Sequence, residues 1–156
     1  MSPRLDFFKI SPQGVAALLQ LETYLAGCGL EHSLLELVKT RASQINGCAY
    51  CLDMHTKDAR AAGETEQRLY TLAAWREAPF FNERERAALA WTEAVTRVSA
   101  MHDDDALYAE LKKRFSEKEI VDLTLAIVGI NGWNRLAIPF RSPAGSYQPR
   151  GGAPRE

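Results

Sequence analysis

The chain has 156 residues, 46% hydrophobic and 25% charged, with 19 basic and 20 acidic side chains giving a net charge of −1. That length suits one domain burying about 70% of the surface its unfolded form exposes, without a metal or disulfide staple. The near-neutral balance gives no electrostatic ground for a nucleic-acid or anionic-membrane partner, and no apolar run approaches the ~20 residues that span a bilayer.

Helix signals dominate and strand signals are nearly absent, so the fold class is all-α. A first helix opens at Ser11-Pro12, with proline tolerated in the first turn, and closes near Gly27 and Gly29. The next segment, EHSLLELVKTRASQING, sets Leu34, Leu35, Val38, Ala42 and Ile45 at helical spacing and stops at Asn46-Gly47. A third helix runs from residue 48 to about 62, ended by Gly63. A shorter one covers 65–76, before Pro79. Asn82 with Glu85 makes an N-cap and capping box for a helix reaching about residue 99, built on Ala87, Ala88, Trp91 and Val95. The acids at 103 to 105 suit the positive start of another short helix. Ser116 with Glu119 is a second capping box, leading into IVDLTLAIVGINGWNRLAI, apolar on most sides and so buried within the subunit or between subunits. Residues 1–141 read as a single helical domain, and the Gly-, Pro- and Arg-rich stretch 142–156 as a loose tail.

The start of the chain, MSPRLDFFKI, has charges where an export signal needs an apolar centre. Three cysteines are too few for an extracellular disulfide framework. The expectation is a cytoplasmic protein, in which a CxxC pair is chemical rather than structural.

That pair lies in INGCAYCLDMH, residues 45–55. In helical register Cys48, Cys51 and His55 share one face. The preceding helix must run back antiparallel across Asn46-Gly47, which brings Glu36 to within roughly one turn of the level of His55 at ~1.5 Å rise per residue. Glu36 is the single acid in the run LLELV, where a facing histidine gives a half-buried carboxylate its reason to be there. The alternative is an ordinary ion pair with Lys39 or Arg41.

Four residues therefore converge: Glu36, Cys48, Cys51 and His55. A thiol reacts as the thiolate, which a neighbouring base and the positive end of a helix both favour. Cys48 sits in the first turn, where backbone N–H groups stabilise an anion. His55 can relay a proton while Glu36 fixes its tautomer. A thiolate oxidised by a peroxide becomes a sulfenic acid, which a second thiol condenses into a disulfide. Cβ atoms three apart on a regular helix are about 5–6 Å from each other, whereas a disulfide wants about 3.5–4.5 Å. Closing the pair requires a local adjustment at the helix start, and the bond is expected to be strained and easily reduced.

The pattern of Glu36, eleven intervening residues, then Cys48-x-x-Cys51-x-x-x-His55 resembles the AhpD-type alkylhydroperoxidase signature of the carboxymuconolactone decarboxylase superfamily. The resemblance extends over roughly residues 5 to 141, including RERAALAWTEAVT and INGWNRLAI, and is to a single-domain branch. It implies an AhpD-like helical fold and a homo-oligomer, trimer or hexamer. It further implies thiol-dependent reduction of a hydroperoxide, with a dithiol or protein reductant and no cofactor. By that analogy Cys51 attacks the peroxide, Cys48 resolves it, and Glu36 and His55 relay the proton; the helix-end argument alone favours Cys48 as the attacking thiol. The superfamily's decarboxylases lack the cysteine pair, which argues against lactone decarboxylation here. Some members carry a second histidine between the cysteines, near the place of Tyr50 in this chain. Two other readings stand beside the peroxidase: a disulfide oxidoreductase or redox sensor using the same pair, and a decarboxylase-like scaffold with incidental cysteines.

A zinc site would need a fourth ligand, and Cys28, His32 and His102 lie at no recognisable interval, so no metal is expected. Cys28 reads as a packed or exposed free thiol, and His32 and His102 as solvated residues at helix starts. Trp133, Asn134 and Arg135 read as packing and hydrogen-bonding residues near a buried helix end, with a substrate role as the alternative. Tyr50 and Met54 fit a pocket mouth or an interface. Trp75 and Trp91 read as core.

Overall fold

The residues that carry the site are placed by two helices joined through two residues, the first of them a glycine. In the computed structural model, which describes residues 2–101 and 104–149, these are α3 (His32–Asn46) and α4 (Ala49–Ala61). Gly47 ends α3 in the left-handed conformation at φ 71°, and its N–H and that of Cys48 bond back to the carbonyls of Gln44 and Ser43. Glycine adopts that conformation without a Cβ penalty, which is why the chain can reverse in so few residues.

Around this pair lie α1 (Phe7–Ile10), α2 (Pro12–Ala26), α5 (Glu66–Thr71), α6 (Glu83–Thr96), α7 (Asp105–Lys112) and α8 (Glu117–Phe140). Single 3-10 turns cover Leu72–Ala74 and Val98–Ala100, and there is no strand among the described residues. The fold is all-α, as expected. Both capping boxes form, with Asn82 and Ser116 each accepting from the N–H three residues on while Glu85 and Glu119 reach back. The stretch expected as one helix over 65–76 is α5 followed by a 3-10 turn. The helix expected to reach about residue 99 stops at Thr96, because Arg97 leaves helical geometry at φ −101°, ψ 42°. Helix α1 is additional: Asp6 caps its four residues by accepting from the N–H groups of Phe8 and Lys9. The expectations for His102 and Asp103 lie outside the described residues.

Helix α3 is central, packed against α4, α6 and α8, with Leu37, Val38 and Ala42 fully buried. One apolar cluster joins Leu34, Leu35 and Val38 to Leu25, Trp91, Leu123 and Ile127; another joins Leu37 to Ala59, Leu72, Trp75 and Leu89. Trp75 and Trp91 are core residues, their indole N–H groups donating to Glu93 Oε1 and Thr124 Oγ1. Glu93 is itself buried and also takes Arg41 and Arg76.

A third cluster places Cys48 and Cys51 against Ala42, Ile130 and Ala137, so α8 backs the cysteine pair. Helix α2 crosses α8 at Gly129, where a Cβ would stand 3.3 Å from Glu22 Oε1 and 3.4 Å from Leu21 Cδ2. Not all of α8 is covered: Val121 and Val128 are 57% and 53% exposed.

Both ends of the described chain return to this layer. The Arg4 N–H donates to Phe140 O and its guanidinium to Pro139 O. Residues 142–149 belong to the stretch read as a loose tail. Within them the Gly145 N–H donates to Asp53, the Tyr147 hydroxyl donates to Asp58, and the Tyr147 carbonyl accepts from Lys57. No helix among the described residues is long and apolar enough to cross a membrane.

Candidate active site

Glu36 and His55 meet across the α3–α4 turn. His55 Nδ1 lies 2.9 Å from Glu36 Oε2, and the residues are only 5% and 6% exposed. The ordinary ion pair with Lys39 or Arg41 is not what forms: Lys39 bonds Glu22 at 2.7 Å and Arg41 bonds Glu93 at 2.7 Å. His32 has a 65% exposed side chain, and its Nε2 stands 3.9 Å from Glu36 Oε1.

Burial pushes the Glu36 carboxyl up, but the hydrogen bond and charge of His55, helped by Lys39 and His32, bring it below its ordinary value. At neutral pH it is a carboxylate, which can only accept. The proton on His55 therefore sits on Nδ1, leaving Nε2 as the basic nitrogen of the ring.

Cys48 and Cys51 are each 1% exposed and are joined as a disulfide. Their Cα atoms are 5.4 Å apart, within the usual range for such a bond. The local adjustment anticipated at the helix start is visible in the backbone. Cys48 is not in the helix but is its N-cap, extended at φ −87°, ψ 97°, with Sγ accepting from the Cys51 N–H. Its sulfur thus occupies the positive end of α4, while Cys51 sits one turn before His55.

Glu36, Cys51 and His55 line a single cavity of about 280 Å³. Tyr50 and Met54 line it, as their pocket reading anticipated, and Trp133 closes one side. The Trp133 indole N–H donates to Glu22 Oε1 and the ring stacks under Phe8 at 6.1 Å. Cys48 is not in this wall; with Tyr50 and Ala137 it lines a second groove beyond.

Of the three residues near the end of α8, only Trp133 reaches the cavity. Asn134 is buried and joins Ser43 and Asn46, and Arg135 bonds Asn131. Sequence reasoning missed Phe7, Phe8, Glu22, Lys39 and Asp58, all of which line the cavity. For Lys39 and Asp58 a signal existed, since each stands three residues after Glu36 or His55 on the same helix. The others come from α1 and α2, where no local pattern points to the site.

Glu36, His55 and Asp58 bring one donor atom each within 4.8 Å of one another, the only arrangement among the described residues that could hold a metal ion. Each already has a protein partner, the first two one another and Asp58 the Tyr147 hydroxyl. Cys28 is half-buried and is not among the residues lining this cavity.

An all-α protein with a CxxC pair, whose second cysteine shares a cavity with a buried Glu–His pair, has an AhpD-like fold. The chain belongs to the carboxymuconolactone decarboxylase family, which it matches over residues 12–94, a span containing all four candidate residues. It is 42% identical over 146 residues to the uncharacterized protein YdfG of Bacillus subtilis, covering 94% of this chain and 99% of that one. A solved structure from Agrobacterium tumefaciens, a protein of unknown function provisionally described as the antioxidant defence protein AhpD, superposes with a TM-score of 0.88 at 43% identity. That match covers 94% of this chain and all of the other. The debrominase Bmp8 shares the fold at 21% identity, with a TM-score of 0.79 over 89% of this chain and 75% of its own.

Proposed function

We propose that the protein is a thiol-dependent hydroperoxide reductase in which Cys51 attacks the peroxide and Cys48 resolves it. The supporting observation is that Cys51, and not Cys48, shares the cavity with the buried Glu36–His55 pair. In the reduced protein His55 Nε2 takes the Cys51 proton, and Glu36 stabilises the imidazolium. The thiolate attacks the terminal oxygen, the O–O bond breaks, and the leaving alkoxide takes the proton back from His55. The Cys51 sulfenic acid then condenses with the Cys48 thiol, releasing water and forming the disulfide. A dithiol reductant restores both thiols. The apolar wall of Phe8, Met54 and Trp133 favours an organic hydroperoxide over a fully polar one. A cycle that returns to free thiols suits a reducing, cytoplasmic setting.

Hydroperoxide consumption with a dithiol reductant tests this. Wild-type protein should turn over, and Cys51→Ser should lose both turnover and sulfenic acid. Cys48→Ser should consume about one equivalent and stall as a trapped sulfenic acid. Sulfenic acid on Cys48 in Cys51→Ser would reverse the roles. Disulfide cycling without peroxide consumption would make the protein a disulfide oxidoreductase instead.

A further inference from the structure

The two residues of the Cys48–Cys51 pair, each 1% exposed, line different spaces. Cys51 lines the cavity with Glu36 and His55, whereas Cys48 lines a separate groove of about 390 Å³ made by the α3–α4 turn and the end of α8. Tyr50 and Ala137 belong to both and form the partition between them. In this groove stands Arg141, half-buried, whose guanidinium has no hydrogen-bond or ion-pair partner among the described residues. Its backbone is the single positive-φ non-glycine among them, at φ 58°, ψ 51°. Glycine would take that helix-end position without strain, whereas an arginine holds it at a conformational cost. No acidic side chain lines the groove.

We infer that this groove is the reductant site, and that it takes a small dithiol bearing a carboxylate, which Arg141 pairs while a thiolate attacks Cys48. The inference rests on the proposed cycle in needing a reductant, but the step itself involves no peroxide. The incoming thiolate forms a bond to Cys48 Sγ, the Cys48–Cys51 bond breaks, and Cys51 leaves as a thiolate into the cavity that holds His55. The second thiolate of the reductant then attacks its own sulfur in the mixed disulfide, releasing the Cys48 thiolate and an oxidised reductant. Two electrons pass from reductant to protein. Peroxide and reductant thus reach the cysteine pair from opposite sides, the peroxide meeting the reduced Cys51 thiolate and the reductant meeting the disulfide at Cys48.

The test uses the oxidised full-length protein and a pair of monothiols of equal length, the anionic 3-mercaptopropionate and the neutral 3-mercaptopropionamide, whose different intrinsic thiol reactivities cancel when variant is compared with wild type. After alkylation with iodoacetamide, peptide mass analysis should find the thiol adduct on Cys48 and the alkyl group on Cys51. The acid-to-amide ratio of reaction rates should fall about fivefold in Arg141→Gln, the scale of one partly screened ion pair, and return in Arg141→Lys. Single-turnover oxidation of the pre-reduced Arg141→Gln protein by cumene hydroperoxide should be unchanged. An adduct on Cys51, or an unchanged rate ratio in Arg141→Gln, overturns the inference while leaving the peroxidase reading intact. Correct adducts in a protein that consumes no hydroperoxide would sink the peroxidase reading alone.

Discussion

Glu36 and His55 are two residues with one task, because the carboxylate has no other buried partner and the imidazole owes its tautomer to it. Glu36→Ala and His55→Ala should each slow peroxide turnover on the order of 10²-fold, and the double variant should lose little more. The same pair carries a stability signature. The folded Glu36 carboxyl lies below its ordinary 4.5, so its contribution is complete above that pH and is lost as pH falls through the lower folded value. In urea unfolding across an acid series, the wild type should therefore lose more stability below pH 4.5 than Glu36→Gln does. An identical acid limb in both proteins would contradict the ionised pair. The four candidate residues were legible from sequence because they sit on two helices joined by one tight turn, so their register follows from counting. Glu22, Phe7 and Phe8 were not, because they reach the cavity through packing between elements distant in the chain.

At the scale of elements, the caps made most boundaries readable: proline at the start of α2, glycine after α3, and a reciprocal box on both α6 and α8. Helix α1 escaped because four residues carry no periodicity, and it forms by leaning on Phe140 and the Arg4 clamp. The buried Glu93 was equally invisible, since Arg41, Arg76 and Trp75 converge on it from three directions. Glu93→Ala should cost about 3–5 kcal/mol by chemical denaturation, because it strands buried cationic and indole donors. Gly129→Leu should cost about 1–3 kcal/mol by forcing α2 away from α8. The same displacement should break the Glu22 bond to Trp133 and be seen as a shift in tryptophan emission.

For the whole molecule, the exposed side of α8 argues for assembly. Val121 and Val128 stand seven residues apart on one stripe, open to solvent on a helix whose other side carries the buried Ile120, Leu123, Ile127 and Ile130. The family resemblance points to a trimer or hexamer, and apolar side chains on such a stripe suit a helix-face interface. Light scattering at micromolar concentration should give a mass well above 17.4 kDa, and Val128→Glu should lower it without unfolding the subunit. A wild-type species of 17.4 kDa alone would refute the assembly.

The turn that sets the site also has a bearing on how the protein ages. Asn-Gly is the dipeptide most prone to deamidation, because an unhindered glycine nitrogen can attack the asparagine side chain and close a succinimide ring. Here Asn46 is the last residue of α3, and its amide donates to Asn131 at 2.9 Å and Asn134 at 2.7 Å. Helical backbone and a tethered amide both hold the reacting atoms apart. Isoaspartate at position 46 would accumulate chiefly in molecules that have opened. It would leave a charged, lengthened link directly beneath the cysteine pair, so its measured level in stored protein is a record of time spent unfolded.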